Sequence, residues 1–303
     1  MQRSSIGLAL GGGGVRGAAH IGVLQVLHDH GIFINTIGGT SIGAIIGAMY
    51  AATQDPYWVE ERFREFLDSD SYKQVGTSLL LKDRDPDSVI GQIAKFVQDR
   101  LVIAIALNRD SIIKRSRLEK AIKFLVPVKT FEELKIPLNI YATDLQNGER
   151  VCYKSGDLID AVVQSSSIPG YVQPTESNGH LFADGAVSVP IPVLEMKLIA
   201  DFVIAINISR GTLDPMKKNS IIDIITRCDL ITNLHLTAMM VDNANFIFQP
   251  DVLGLHWSEF DKFDILLENG VKEAKQNISR LADRLKIQNS WKFKLKQKLL
   301  GLR

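Results

Sequence analysis

Gly39-Thr40-Ser41-Ile42-Gly43 has the form G-x-S-x-G. A serine in that setting can act as a nucleophile when it sits on a sharp turn between a strand and a helix. The flanking glycines leave room for an exposed hydroxyl, and the following helix points its positive end at the same spot. The pattern also fits an ordinary glycine-rich strand–helix turn. Gly11-Gly12-Gly13-Gly14-Val15-Arg16-Gly17 is the second signal. Acyl transfer needs backbone N–H donors aimed at a tetrahedral oxyanion, and a run of glycines lets several amides converge. Gly12, Gly14 and Gly17 also satisfy the G-x-G-x-x-G spacing of a dinucleotide-binding loop. That alternative wants an acidic residue about 20 residues further on, closing the second strand. Here that strand leads instead into Gly38-Gly39-Thr40-Ser41. Asp184-Gly185-Ala186 is the third signal. Alone, an Asp-Gly pair marks a turn. Beside a serine nucleophile, its carboxylate is a candidate base.

These residues need elements to hold them. Residues 6–10 are a short apolar run ending in the glycines, which predicts a buried strand. Ala18, Ile21, Val23, Leu24, Val26 and Leu27 follow with helical spacing, closed by Gly31. Residues 32–37 read as a second strand ended by Gly38-Gly39, and residues 42–50 as an apolar helix. Its small residues Gly43, Ala44, Gly47 and Ala48 suit close packing against a sheet. Strand, loop, helix, strand, turn, helix argues for a parallel sheet with helices on its faces. From about 55 to 129 the chain is charged and mostly helical in spacing, as in Val59, Phe63, Phe66 and Leu67, then Ile90, Ile93, Phe96 and Val97. That predicts a helical insertion. Strand-like runs return at 138–142, 151–153, 181–183 and 202–208, with a short one at 246–248. Helical patterns cover 221–240 and 271–285. The expected organisation is one mixed domain over 1–285 and a separate segment over 286–303.

Composition narrows the classes. Of 303 residues, 46% are hydrophobic and 23% charged, which excludes a disordered chain. Thirty-five basic against 34 acidic residues leave a net charge of +1, so no global field favours nucleic acid. Cys152 and Cys228 are too few for a disulfide framework or a four-cysteine zinc site. The longest apolar stretches, 42–52 and 101–107, fall short of the about 20 residues a membrane span needs. The apolar run after Arg3 is too short for a signal peptide and runs into glycines. The expected location is cytoplasmic.

Taken together, the three signals resemble the patatin-like phospholipases, in particular the bacterial branch similar to the catalytic domain of neuropathy target esterase. That family pairs a G-G-G-x-[RK]-G loop with a G-x-S-x-G elbow and a later D-G-[GA]. The corresponding residues here are Gly12 to Gly17, Gly39 to Gly43, and Asp184 to Ala186. Ala142-Thr143-Asp144-Leu145 and Ser165-Ser166-Ser167-Ile168-Pro169-Gly170 look like further family segments. The sequence departs from many members at Val172-Gln173-Pro174, where Phe-Pro-Pro is common, and at Ala186, where glycine is frequent.

The resemblance implies a three-layer α/β/α fold with a mainly parallel sheet. It implies hydrolysis of phospholipid or lysophospholipid acyl esters by a serine–aspartate dyad, with Ser41 as nucleophile and Asp184 as base. An esterase or thioesterase on small soluble acyl compounds, and a non-catalytic regulatory protein on the same scaffold, are the alternatives. Gly12, Gly13 and Gly14 would supply oxyanion donors, supported by Arg16, Gly17, Gly39, Gly43 and Gly185. No metal or organic cofactor is required. A histidine triad is the mechanistic rival; His20, beside the glycine loop, and His180, near Asp184, are its candidates. The last stretch carries Arg284, Lys286, Lys292, Lys294, Lys296, Lys298 and Arg303, interleaved with Trp291, Phe293 and leucines. Such a basic amphipathic segment suits an anionic membrane surface and equally a solvated helix. Oligomeric state is not legible.

Overall fold

The computed structural model of the chain describes residues 4–70, 72, 111, 113–211, 213, 215, 216 and 220–290. Strand β1 (Ile6–Leu10) pairs in parallel with β2 (Thr36–Thr40) on one side and β7 (Phe202–Ile206) on the other. β7 pairs in parallel with β8 (Phe246–Phe248), and β2 with β3 (Leu138–Asp144). Three antiparallel strands complete the sheet: β4 (Arg150–Tyr153), β5 (Thr175–Ser177) and β6 (His180–Asp184). Among the described residues the sheet has eight strands in the order β5-β6-β3-β2-β1-β7-β8, with β4 on the far side of β3.

Alternation along β1 sorts the two faces. Leu8 and Leu10 enter the larger core, which holds α1 (Ala18–Asp29), α2 (Ile42–Thr53) and α3 (Pro56–Asp68). The same core takes α4 (Arg115–Leu125), α5 (Leu158–Ser165) and α8 (Phe263–Asn289). Ala9 faces the smaller core, built with Val193 and Met196 of α6 (Val193–Met196) and Met240 and Val241 of α7 (Ile221–Val241). Helices therefore cover both faces of a mostly parallel sheet, the expected α/β class.

Several boundaries differ from the sequence reading. The second strand is Thr36–Thr40 and not 32–37, so Gly38 and Gly39 lie inside it. Packing explains this. A Cβ on Gly38 would stand 2.6 Å from Met196 Sδ, and one on Gly39 would stand 2.8 Å from Ala44 N. The helices on the two faces come so close that only glycines fit in the strand. The final helix begins at Phe263, earlier than the pattern at 271 suggested, and ends at Asn289. Helix α5 and the three-residue β5 are additional elements. Of the predicted insertion, α3 and α4 are helical as expected and pack on the larger core. Residues 73–110, including the pattern at Ile90 to Val97, lie outside the described residues, as does 291–303 of the basic segment. Among the described residues no helix is long and apolar enough to cross a membrane.

Candidate active site

The register of β3 brings Ser41 and Asp184 together. β2 pairs with β3 through Thr40↔Tyr141 and then stops. On the same edge of β3, β6 takes over at the next residue, Ala142↔Asp184. β6 runs antiparallel, so its last residue meets the last residue of β2 end to end. Ser41 and Asp184, 143 residues apart in the chain, thus abut, and Ser41 Oγ donates to Asp184 Oδ2 at 2.6 Å. Both are buried. The other carboxylate oxygen accepts from Ala186 N at 2.8 Å. Burial raises the Asp184 pKa to about 6, with the two hydrogen bonds pulling the other way.

Ser41 sits at φ 56°, ψ −124°, a strained conformation for a residue with a side chain. It is held there from both sides. Its N–H donates to Ser165 Oγ of α5 at 2.9 Å, and its carbonyl accepts from Ala44 and Ile45 at 2.8 and 3.1 Å. A Cβ on Gly43 would lie 2.3 Å from Leu10 O and 2.9 Å from Gly11 O. Gly43 is therefore required where α2 crosses the end of β1. Overdetermination of this kind is what keeps a strained serine in place.

The glycine loop lies against the serine: a Cβ on Gly12 would be 3.3 Å from Ser41 Cβ. The Gly12 amide donates to Pro190 O at 3.0 Å. The Gly13 and Gly14 amides have no acceptor among the described residues. Arg16 Nε donates back to Gly13 O at 3.0 Å. Gly17 precedes α1 as its N-cap and packs against Ile42 and Ile46, and Gly185 passes tightly over Tyr141 O. His20 is fully buried under the loop, with Nε2 2.9 Å from Gly11 O. To donate there, Nε2 must carry the proton. Desolvation lowers its pKa to about 4, so the ring is neutral at pH 7 and braces the loop. His180 pairs through Nδ1 with Asp144 Oδ2 at 2.6 Å. Asp144 Oδ1 closes a turn by accepting from Gln146 N at 2.9 Å. The hydrogen bonds of these two histidines thus go to groups other than Ser41.

Two contacts escaped the sequence reading. Ser165 belongs to a stretch noted only for its resemblance. Asn233 of α7 donates through Nδ2 to Ala186 O at 2.7 Å, clamping the turn after Asp184. No sequence signal singled it out. Among the described residues no cluster of three His, Cys, Asp or Glu could hold a metal.

An α/β sheet ending in a strained serine elbow, with a glycine loop and a buried carboxylate around it, defines a hydrolase-like class of site. Comparison with known proteins is more specific. Residues 8–197 match the patatin-like phospholipase family, and the chain belongs to it. An uncharacterized NTE family protein of Mycobacterium tuberculosis is 31% identical over 213 residues, covering 70% of this chain and 51% of that one. Human patatin-like phospholipase domain-containing protein 6 is 31% identical over 208 residues, covering 68% of this chain and 13% of that one. The chain thus spans about half the length of the mycobacterial relative. Among solved structures, VipD from Legionella pneumophila aligns with TM-score 0.49 and 14% identity, over 92% of this chain and 67% of that one.

Proposed function

We propose that this chain hydrolyses ester-linked fatty acids of phospholipids or lysophospholipids, with Ser41 as nucleophile and Asp184 as base. The observation that carries the reading is the buried 2.6 Å hydrogen bond between them at the end of a serine elbow. Family membership supports a lipid substrate. As Ser41 Oγ bonds to the ester carbonyl carbon, its proton passes to Asp184 Oδ2. The carbonyl oxygen becomes an oxyanion facing the glycine loop, where the Gly13 and Gly14 amides are free to donate. Collapse expels the alkoxide, which takes the proton from Asp184 and leaves an acyl-Ser41 ester. Asp184 then deprotonates a water that attacks this ester. The second collapse returns the proton to Ser41 and releases the fatty acid. On composition alone, the 286–303 segment is the proposed contact with a lipid surface. Fatty-acid release from lysophospholipid micelles tests the activity; none from wild type, with short-chain esters also intact, ends this reading.

The raised Asp184 pKa sets a pH dependence. A base must be ionised, so kcat/KM should climb with pH through about 6 and level off above about 7. Below the midpoint it should fall about tenfold per pH unit. A profile flat down to about pH 5 would exclude Asp184 as the base.

A further inference from the structure

The connections leaving three neighbouring parallel strands converge beside the glycine loop. Arg16, after β1, lies along Gly13: a Cβ there would sit 3.2 and 3.3 Å from its Nε and Nη2. Ile208, after β7, presses on the same glycine, at 2.9 Å from that Cβ position. Two residues on, Arg210 Nε donates to Leu255 O at 2.9 Å. The stretch after β8 is tied to the loop by Val15 N, which donates to Trp257 O at 2.8 Å. It carries His256, whose Nδ1 is 2.7 Å from Ser258 Oγ. The carboxyl ends of parallel strands are where open α/β sheets receive ligands.

The charges there are unbalanced. Arg16 and Arg210 are half-buried, and neither forms an ion pair with a carboxylate among the described residues. The nearby Glu259 carboxylate is engaged by the His256 amide. Burial, then the charge of Arg210, lowers the Arg16 pKa to about 10. Desolvation, then Arg210 and Arg16, lowers that of His256 to about 4. At neutral pH two guanidinium charges therefore share one site with a neutral imidazole. Each has used its Nε on a backbone carbonyl. A guanidinium fork matches phosphate oxygens, and an anion would relieve the repulsion.

We propose that Arg16 and Arg210, with His256 beside them, form a subsite for a phosphate group next to Ser41. The proposal rests on the acyl-hydrolase reading only for the identity of the phosphate. Gly12, next along the loop, touches Ser41. In a glycerophospholipid the phosphate lies only a few bonds from the ester carbonyl, so one molecule can fill both places.

The test compares a lysophospholipid with a monoacylglycerol of the same chain, in wild type, Arg210→Gln and Arg210→Lys. Arg210→Gln should lower the ratio of kcat/KM on the two substrates about 10- to 100-fold, with Arg210→Lys in between. Equal losses on both substrates would mean that Arg210 only braces the Leu255 loop, and the proposal falls. Binding is measured separately with an ether lysophospholipid, which cannot be hydrolysed, against its phosphate-free alkylglycerol. If wild type hydrolyses neither ester but binds the ether lipid through its phosphate in an Arg210-dependent way, the hydrolase reading falls and the subsite stands. Arg210-dependent binding of inorganic phosphate without the lipid marks a soluble phosphate ester as the ligand. If wild type binds neither phosphate nor the ether lipid more tightly than the alkylglycerol, the subsite does not exist, whatever the variants do.

Discussion

Asp184→Asn is expected to lower kcat/KM for ester hydrolysis by about 10³- to 10⁴-fold with the fold intact. The substitution preserves shape. The amide oxygen can still accept from Ala186 N, and the new NH₂ group faces Ser41 Oγ as a donor where the carboxylate accepted. An amide cannot take the serine proton, so the attack loses its base. Ser41→Ala should cost at least as much. The double variant should cost no more than the larger single, because the two residues act as one unit. Activity of Asp184→Asn within tenfold of wild type would sink the dyad and return attention to His20.

A second readout separates lost chemistry from lost structure. The Asp184 pKa is raised by folding, from 3.8 to about 6. The folded chain holds that proton more tightly, so this group lowers stability as pH rises from about 4 to 6. The penalty is at most about 3 kcal/mol. Asparagine does not carry it. Asp184→Asn should therefore melt higher than wild type at pH 8, and the gap should close near pH 4. A variant that is inactive and also less stable at pH 8 would point to a structural role for the carboxylate.

How much of this was legible beforehand differs residue by residue. β1, α1 and α2 could be read because apolar periodicity and glycine punctuation agree with the structure there. Gly38 and Gly39 were read as a strand end because glycine normally breaks a strand. They lie inside β2 because Met196 and Ala44 press on them from opposite faces, a tertiary demand invisible locally. Helix α5 was missed although Asp157 caps it, accepting from Asp160 N. The helix is only 8 residues long, and an apolar run that short, rich in Ile and Val, cannot be told from a buried strand by its period. With α5 went Ser165, the hydroxyl that fixes the serine amide. Asp184 was reached through its family motif. The contact itself depends on β6 succeeding β2 along β3, a register between distant segments that short-range pattern does not encode.

The largest expected loss of stability lies away from the active site, where α1 crosses α8. A Cβ on Gly22 would stand 2.2 Å from Leu267 O and 2.7 Å from Val271 N. One on Gly270 would stand 2.2 Å from Ala19 O and 2.8 Å from Ala19 Cα. The two glycines are reciprocal, each lying over the other helix's backbone, which cannot swing aside as a side chain can. Alanine should favour each helix by about 1 kcal/mol on propensity. The clash should outweigh this, because the helices must separate and loosen Leu24, Leu266 and Ala274 in the core between them. Gly22→Ala and Gly270→Ala are each expected to cost a net 2–3 kcal/mol or about that, read as a lower urea midpoint at unchanged slope. Separation caused by one methyl makes room for the other. The double variant should thus cost clearly less than the sum of the singles, by about 1 kcal/mol or more. Strict additivity would mean that each site relaxes locally and that the helices do not touch backbone to backbone. Because α1 also carries His20 under the glycine loop, a shift of the helix should reach the site as well. Both singles should lose hydrolytic activity under conditions where they remain folded, by less than the dyad substitutions do.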